Sequence, residues 1–175
     1  MSHALPQSHL RKTALKKERE YTMRIAVGSD HRGTNMLAQI VEILRHRGEE
    51  VQEVEVNPVD GTIDYPDVGA QVAARVSKGE ADRGILVCGT GIGMSIIANK
   101  FPGIRAAVCY DELTAEISRR HNNLNVLCLS GDMLGQHALE GILNIWLDTP
   151  FDGGRHQRRI DKIAMYGEKA ARGEF

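Results

Sequence analysis

The sequence predicts an α/β fold, a Rossmann-like three-layer sandwich with a five-stranded parallel sheet and a C-terminal helix. Three observations predict it. Short runs rich in aliphatic and β-branched residues alternate with segments whose apolar residues recur at helical spacing. Glycines follow those segments at positions where a helix would end. Such alternation indicates crossover units, and therefore a parallel sheet with helices on both faces.

Five short apolar runs supply the predicted strands. Each has the length of a strand and is followed by residues that are typical of turns. The runs cover residues 24–30, 50–56, 84–89, 104–110 and 124–130.

Helices are predicted between these runs. Apolar residues recur at helical spacing from Met36 to Leu44 and again at Val68, Val72 and Val76. Gly48 and Gly79 stand where these two helices would end. After the last strand we expect a helix over 134–147, a break at 149–154, and a polar helix over 155–171.

The chain is predicted to form one domain over residues 23–175. Its 175 residues suffice for a single hydrophobic core. Residues 1–22 are polar and charged, and Met23 directly precedes the first apolar run. We therefore expect residues 1–22 to form a flexible tail.

The composition excludes several classes of protein. Lys and Arg number 22 against 23 Asp and Glu, a formal charge of -1, so no global field favours nucleic acid or an anionic membrane. No apolar stretch approaches the roughly 20 residues that a membrane helix needs. The three cysteines lack the spacings of metal sites and do not suggest a disulfide framework. We expect a cytoplasmic protein without a metal or other cofactor and without nucleic-acid or membrane partners.

The segment CGTGIG, residues 88–93, follows the third predicted strand. Ligands of open parallel sheets bind beyond the carboxyl ends of the strands, and glycines before a helix let backbone N–H groups converge on an anion. The same glycines could serve only a tight turn. A dinucleotide fingerprint would need glycine at position 94, and a cysteine-dependent phosphatase loop would need arginine there, but the residue is Met94. The Gly-Lys-Ser/Thr ending of a nucleoside-triphosphatase loop is absent from the segment.

The thiol in this segment has two interpretations. A helix N-terminus favours the thiolate, so Cys88 can act as a nucleophile or as a general base. Alternatively, Cys88 only ends a buried strand, as Cys109 and Cys128 also could, because cysteine is among the most buried residue types.

Polar residues elsewhere also carry two interpretations. The pair Asp30-His31 follows the first strand and suits either a turn or a site. The pair His121-Asn122 ends a predicted helix, where a histidine can simply complement the helix dipole. Arg155 and Arg159 lie one helical turn apart, which suits a phosphate or a solvated basic face.

Six segments, taken in order, closely resemble the type B ribose-5-phosphate isomerases, within the RpiB/LacAB sugar-phosphate isomerase family. They are GSDHRG, DYPD, CGTGIGMSIIANK, GIRAAVC, SRRHNNLNVL and GGRHQRR, and the likeness runs from about Met23 to near Glu168. The resemblance implies an aldose–ketose isomerase of the pentose phosphate pathway. Such an enzyme interconverts ribose 5-phosphate and ribulose 5-phosphate through an enediolate, without metal or nucleotide.

The resemblance also assigns roles around the thiol. Cys88 would be the general base that moves a proton between C1 and C2 of the opened sugar. Thr90 would hydrogen-bond the substrate beside it. The enediolate oxygens would be held by backbone N–H groups of the loop. These are the N–H groups of Gly89, Gly91, Ile92 and Gly93.

The remaining roles fall on residues far apart in the sequence. His121, with Asp30 as a polar partner, resembles the pair that opens the furanose ring. Asn122 would hold sugar hydroxyls and Tyr65 would contact the sugar. Ligands of the phosphate would be His31, Arg155 and Arg159.

Family members are typically dimers, and the resemblance implies that His121 and Asn122 reach the site from the partner chain. We therefore expect a homodimer, or a tetramer of paired dimers, whose active sites are shared between subunits. Intact Cys88, His121 and Asp30 favour an enzyme over a non-catalytic sugar-phosphate-binding protein.

One position departs from the family pattern. Many members carry an additional phosphate-binding arginine after the fifth strand, where this chain has Asp132. A carboxylate near a dianion is repulsive. Either Asp132 points away, or Arg119 or Arg120 compensates, or the substrate is another sugar phosphate, such as allose or galactose 6-phosphate.

Overall fold

The structure, a computed structural model, describes residues 21–57 and 61–175. The tail predicted over residues 1–22 lies outside the described residues except for its last two positions. Part of the loop after the second strand also lies outside them.

Five parallel strands form one sheet in the order β2-β1-β3-β5-β4. Every neighbouring pair is parallel, and β3 occupies the centre between β1 and β5. The arrangement confirms the predicted fold class. The strands are β1 (Arg24–Ser29), β2 (Glu50–Glu53), β3 (Arg83–Cys88), β4 (Ala106–Val108) and β5 (Val126–Ser130).

Helices cover both faces of the sheet. In the described residues they are α1 (Thr34–His46), α2 (Tyr65–Ser77), α3 (Ile92–Ala98), α4 (Glu112–Asn122), α5 (Gln136–Asp148) and α6 (Arg155–Ala171). Alternate residues of β3 face opposite layers. Ile85 and Val87 pack with α1, α4 and α5, whereas Leu86 and Cys88 pack with α2 and α3.

The central strands are buried along their whole length. All residues of β5 are buried, and so are those of β3 after Arg83. A continuous apolar run is typical of a parallel strand covered on both faces. Each large aliphatic side chain buried in this way stabilises the fold by roughly 1.5–3 kcal/mol, so these strands form a rigid base for the loops that follow them.

The predicted helix ends are confirmed for the first two helices. α1 ends at His46 and α2 at Ser77, and Gly48 and Gly79 follow with φ angles of 79° and 73°. The edge strands are shorter than predicted. Val56 and Ile104 pack into the apolar cluster under α2 and α3 and do not extend the ladder, because an edge strand pairs on one side only. α5 begins two residues later than expected.

The C-terminal helix α6 lies on the surface. Within it only His156 is buried, and Ile163, Met165 and Tyr166 remain exposed. A groove of about 400 Å³ separates the helix from the loop over 99–105. In the described part of the chain, no helix is long and apolar enough to cross a membrane.

Candidate active site

Three loops meet where the strands β1, β3 and β5 end, and we call this region the strand-end edge. It comprises residues 30–33, 88–93 and 130–132. Backbone hydrogen bonds join the loops. The amide of Asp30 donates to the carbonyl of Val87 at 3.2 Å, and the amide of Gly131 donates to that of Cys88 at 2.8 Å. The predicted grouping of the loops after the strands is therefore present in the structure.

Cys88 ends β3 with its side chain held against the following loop. The residue is 5% exposed, and its Sγ accepts the amide N–H of Gly91 at 3.1 Å. A backbone N–H directed at sulfur favours the thiolate. Cys109 and Cys128 are also buried, but burial raises the pKa of both thiols. All three cysteines are therefore buried, and in the described residues Cys88 is the one whose sulfur accepts a backbone N–H.

Gly91 takes a conformation that favours glycine. Its φ is 79°, and it caps the N-terminus of α3. A Cβ at this position would lie 3.1 Å from the carbonyl oxygen of Leu129 and 3.0 Å from the side chain of Val108. Left-handed backbone is costly for residues with a Cβ. Glycine here therefore keeps the amide directed at the Cys88 thiol.

Two residues at the ends of predicted strands also support the loop. Ser130 is fully buried, and its hydroxyl donates to the carbonyl of Gly89 at 2.6 Å and accepts the amide of Met133 at 3.0 Å. The hydroxyl of Tyr110 donates to the carbonyl of Thr90 at 3.3 Å. Both residues end apolar runs, so the sequence places them beside the strand-end loops, but it does not predict these hydrogen bonds.

Thr90 and Ile92 form the outer part of the loop. Both residues are exposed, and the Thr90 hydroxyl accepts the amide of Ile92 at 3.3 Å. Tyr65, the first residue of α2, lies against the same loop. A Cβ at Gly93 would come 2.6 Å from the Tyr65 ring. The structure thus brings Tyr65 and Thr90 onto the loop that follows Cys88.

The loop after β1 contributes a buried carboxylate and an exposed imidazole. Asp30 is 6% exposed, and its Oδ1 accepts the amide of Arg32 at 2.9 Å. His31 is exposed. Both belong to the strand-end edge, as the sequence predicted.

Asp132 lies in an ion pair with Arg32. Its Oδ2 accepts N–H groups of Arg32 from Nε at 2.9 Å and from Nη2 at 2.5 Å. Asp132 therefore does not point away from the loops, and its partner is neither Arg119 nor Arg120. Compensation by Arg119 or Arg120 is not seen within one chain, where Arg32, from the loop after β1, pairs with Asp132 instead.

Arg119 and Arg120 lie elsewhere in the structure. Arg119 is buried and donates to the backbone carbonyl of Leu124 and to the side chain of Asn123, and burial lowers its pKa to about 10. Arg120 pairs with Glu116 and Asp152. Within one chain, Arg119 holds the C-terminal end of α4, and Arg120 joins α4 to the segment before α6.

His121 and Asn122 lie at the opposite edge of the sheet. The amide of Gly84, near the start of β3, donates to the carbonyl of Asn125 at 2.9 Å. Cys88 is four residues farther along, which corresponds to roughly 13 Å of strand. α4 ends at Asn122, so it delivers His121 to this strand-start edge, which we define as residues 120–125 and 152–159.

The strand-start edge also holds the start of α6. The rings of His121 and His156 stack in parallel, with centroids 4.2 Å apart and 7° between their planes. Burial, and then the neighbouring His121, lower the pKa of His156, and Arg155 and Arg159 act in the same direction. The two arginines are exposed in the first turns of α6. The basic residues of GGRHQRR are thus brought to His121.

A cluster of metal-binding atoms occurs here. Ligand atoms of His121, Asp152 and His156 lie within 4.8 Å of one another. Imidazole binds metals through lone pairs in the ring plane. Because the two rings are stacked with nearly parallel planes, these lone pairs do not converge on one ion. The observed arrangement is better described as packing between α4 and α6.

The predicted site residues therefore form two groups within one chain. The strand-end edge holds Asp30, His31, Cys88, Gly89, Thr90, Gly91, Ile92 and Gly93, and Tyr65 packs against it. The strand-start edge holds His121, Asn122, Arg155 and Arg159. One chain alone does not bring the two groups together.

Comparison with known proteins agrees with the motifs and the fold. The family described as Ribose/Galactose Isomerase matches residues 25–163. Ribose-5-phosphate isomerase B of Escherichia coli K12 is 45% identical over 146 residues, which are 83% of this chain and 97% of that protein. The structure of Clostridium thermocellum ribose-5-phosphate isomerase B superposes with a TM-score of 0.81 at 45% identity, covering 85% of this chain and 99% of that one.

A third relative carries a ligand. The structure of ribose-5-phosphate isomerase B from Mycoplasma genitalium with bound ribulose-5-phosphate has a TM-score of 0.79 at 41% identity, and covers 83% of this chain and 97% of that one. Motifs, strand order and these likenesses agree over most of the chain's length. The chain therefore belongs to the ribose/galactose isomerase family.

Proposed function

We propose that this protein interconverts ribose 5-phosphate and ribulose 5-phosphate through an enediolate. One observation carries the proposal. The Sγ of Cys88 lies at the end of the central strand, 3.1 Å from the amide nitrogen of Gly91, in a loop that begins a helix. The relatives named ribose-5-phosphate isomerase B support this substrate over allose and galactose 6-phosphate.

Cys88 acts as the base in this mechanism. Its thiolate takes the proton from C2 of the open-chain aldose, and the electron pair moves toward the carbonyl to form the enediolate. The thiol then returns the proton to C1 while the hydroxyl proton of O2 passes to O1, which leaves the ketose. Backbone N–H groups of residues 89–93 stabilise the negative charge that develops on the two oxygens, and such donors typically contribute ~10²-fold or more in rate. Thr90 hydrogen-bonds the substrate beside the thiol.

His121 and Asp30 open the furanose ring in this proposal. Proton transfer to the ring oxygen and from the anomeric hydroxyl needs groups within hydrogen-bond reach of both. Asn122 holds sugar hydroxyls, and Tyr65 contacts the sugar from its position on Gly93. His31, Arg155 and Arg159 bind the phosphate, since guanidinium groups form strong charge-assisted hydrogen bonds with a dianion and an imidazole N–H adds a further donor.

We propose further that the protein is a homodimer whose active sites are shared. His121 and Cys88 belong to opposite edges of one chain, so a complete site needs the strand-start edge of a second copy. The exposed apolar residues of α6, including Ile163 and Tyr166, supply a surface for that contact. Light scattering should give a mass of at least twice 19.3 kDa. Pairing of dimers into a tetramer stays a prediction.

The same proposal includes the cellular context. Cys88, Cys109 and Cys128 are all free thiols, which fits a reducing cytoplasm. Interconversion of these two pentose phosphates belongs to the pentose phosphate pathway. The chemistry assigned to the residues needs neither metal nor nucleotide.

Substitution of the three cysteines tests the function. In Cys88→Ala and Cys88→Ser, we expect kcat to fall at least about 100-fold, because general-base catalysis typically contributes 10²–10⁴-fold. Cys109→Ser and Cys128→Ser are matched controls, since both thiols are buried outside the loop, and they should keep most activity. A coupled assay over ribose, allose and galactose phosphates gives the substrate. Wild-type turnover by Cys88→Ala would show that the base is another residue.

A further inference from the structure

An ion pair between Arg32 and Asp132 lies on the solvent-facing side of the strand-end edge. Nε and Nη2 of Arg32 both donate to Oδ2 of Asp132, at 2.9 and 2.5 Å. The two side chains are 55% and 38% exposed, respectively. The pair therefore joins the loops after β1 and β5 above the loop after β3, and it remains accessible to a ligand.

The pair lies directly on Gly89. A Cβ at Gly89 would be 2.9 Å from both Arg32 Nε and Asp132 Oδ2. Gly89 directly follows Cys88, so the guanidinium is one residue away from the proposed base. Glycine at position 89 permits the ion pair to approach the backbone this closely, because the methyl group of an alanine would displace the pair.

Backbone contacts hold both partners in place. The amide of Arg32 donates to Oδ1 of Asp30 at 2.9 Å, and the amide of Asp132 donates to the carbonyl of Gly89 at 3.2 Å. Exposed ion pairs on freely rotating side chains contribute little to stability. This pair is instead built on two loops that are both fixed to β3.

Arg32 keeps hydrogen-bond donors for a ligand. Guanidinium has five N–H groups in a planar fork, and both bonds to Asp132 use the Nε and Nη2 side. Within the part of the chain that the structure describes, Nη1 of Arg32 has no partner. Planar paired donors of this kind suit a phosphate.

We propose that Arg32 is a substrate-binding residue that donates to the phosphate of the sugar phosphate, and that Asp132 is the positioning residue that holds its guanidinium over Gly89. This inference rests on the proposed function. Arg32 and His31 are neighbours on one loop and supply N–H donors from the chain that supplies Cys88. The carboxylate of Asp132 does not repel the dianion, because Arg32 lies against it.

Removal of the guanidinium is the first test. Arg32→Ala should raise KM for ribose 5-phosphate about 10-fold to 100-fold, the loss expected for one or two charge-assisted hydrogen bonds, while kcat changes less than about 3-fold. The inhibition constant of inorganic phosphate should rise by a similar factor. An unchanged KM and an unchanged inhibition constant would overturn the proposal.

The double variant separates binding from neutralisation. In Arg32→Ala alone, the uncovered Asp132 carboxylate would also repel phosphate. If Arg32 only neutralises Asp132, the double variant Arg32→Ala/Asp132→Ala should recover the wild-type KM, and the proposal fails. If Arg32 binds the phosphate, KM of the double variant should stay at least about 5-fold above wild type, since the direct contact is still missing.

Asp132→Ala alone tests the positioning role. It should raise KM about 3-fold, because the guanidinium keeps its charge but loses its fixed orientation. A KM below the wild-type value would mean that Asp132 withholds Arg32 from the substrate, contrary to the proposal. Arg45→Ala is the matched control, since it removes an exposed pair, Arg45–Glu53 at 2.8 Å, from α1 and β2.

Calorimetric titration of inorganic phosphate into the wild-type and variant proteins separates this inference from the proposed function. Phosphate binding that depends on Arg32, in a protein that does not isomerise any pentose phosphate, would retain the phosphate site and reject the function. Turnover of ribose 5-phosphate together with phosphate binding that is insensitive to Arg32→Ala would retain the function and reject the inference.

Discussion

The two edges of the sheet hold their polar residues by different means. At the strand-end edge, the buried strands β1, β3 and β5 end in loops that bond to one another through backbone amides and carbonyls. At the strand-start edge, side chains from helix ends meet, as in the His121–His156 stack and the Arg120–Asp152 pair. The first edge is fixed by the sheet, whereas the second depends on how α4 and α6 pack.

This difference separates two kinds of catalytic work. In our proposal the strand-end edge supplies the base Cys88 and the amide donors, and these must be rigid because charge develops there during the reaction. The strand-start edge carries His121, Arg155 and Arg159, which in our proposal open the ring and bind the phosphate. Neither edge of one chain contains the other's groups, and in our proposal a second copy therefore completes each site.

Mixing two inactive variants tests the comparison most strongly. Cys88→Ala lacks one edge's function and His121→Asn lacks the other's. In a shared-site dimer, the mixed species has one site with both residues intact, so a refolded equimolar mixture should recover about a quarter of wild-type activity. Each variant alone supplies the control. A mixture that forms mixed dimers yet stays inactive would place both residues in the same chain's site.

The strand-end edge was the more predictable of the two. Alternation of strands and helices in the sequence implies a parallel sheet, and loops after parallel strands share an edge. The predicted grouping of Asp30, Cys88 and the glycines follows from that rule alone. The proximity of Arg32 and Asp132 needs the strand order β1-β3-β5 as well. The spacing of apolar residues along the sequence predicts the strands but does not specify their order in the sheet.

The strand-start edge was less predictable because several of its contacts join the ends of separate helices. The sequence shows that His121 ends a helix, and a helix after a parallel strand runs back to the opposite edge. The position of α6 depends on the connection over 149–154, where the amide of Asp152 donates to the carbonyl of Arg120 at 3.0 Å. Spacing predicts the helix itself but not this contact, and hence not the stack of His156 on His121.

Alanine at two glycines should sharpen the contrast in rigidity. Gly91 and Gly48 have the same φ of 79°, but a Cβ at Gly91 would meet Leu129 and Val108, whereas nothing lies within 4 Å at Gly48. Gly91→Ala should lower kcat at least about 10-fold, because it displaces the amide that donates to Cys88. Gly48→Ala should cost only about 1–2 kcal/mol of stability.

Steady-state kinetics and urea unfolding of both variants give the comparison. Equal losses of kcat in Gly91→Ala and Gly48→Ala would mean that the effect comes from general destabilisation. Full activity in Gly91→Ala would mean that its amide is not part of the site.

The smallest expected effect concerns protonation at the strand-start edge. Burial and the stacked His121 lower the pKa of His156 in the folded chain, with Arg155 and Arg159 adding to the effect and Asp152 opposing it. The unfolded chain takes up a proton near the ordinary value of about 6.5, where the folded chain still resists it. The contribution of His156 to the free energy of unfolding is therefore fully present above about pH 6.5. It is lost as the pH falls through the lowered pKa of the folded chain.

Urea unfolding at pH 7.5 and pH 5.5, at one protein concentration, measures this contribution. The midpoint of wild-type unfolding should fall more on acidification than that of His156→Phe, which keeps an aromatic ring on His121 but cannot be protonated. The midpoint of His46→Gln, which replaces an exposed histidine at the end of α1, should fall as that of the wild type does. A wild-type midpoint that falls no more than that of His156→Phe would mean that the stack tolerates the proton, and that packing at this edge is as insensitive to pH as the backbone bonds of the other.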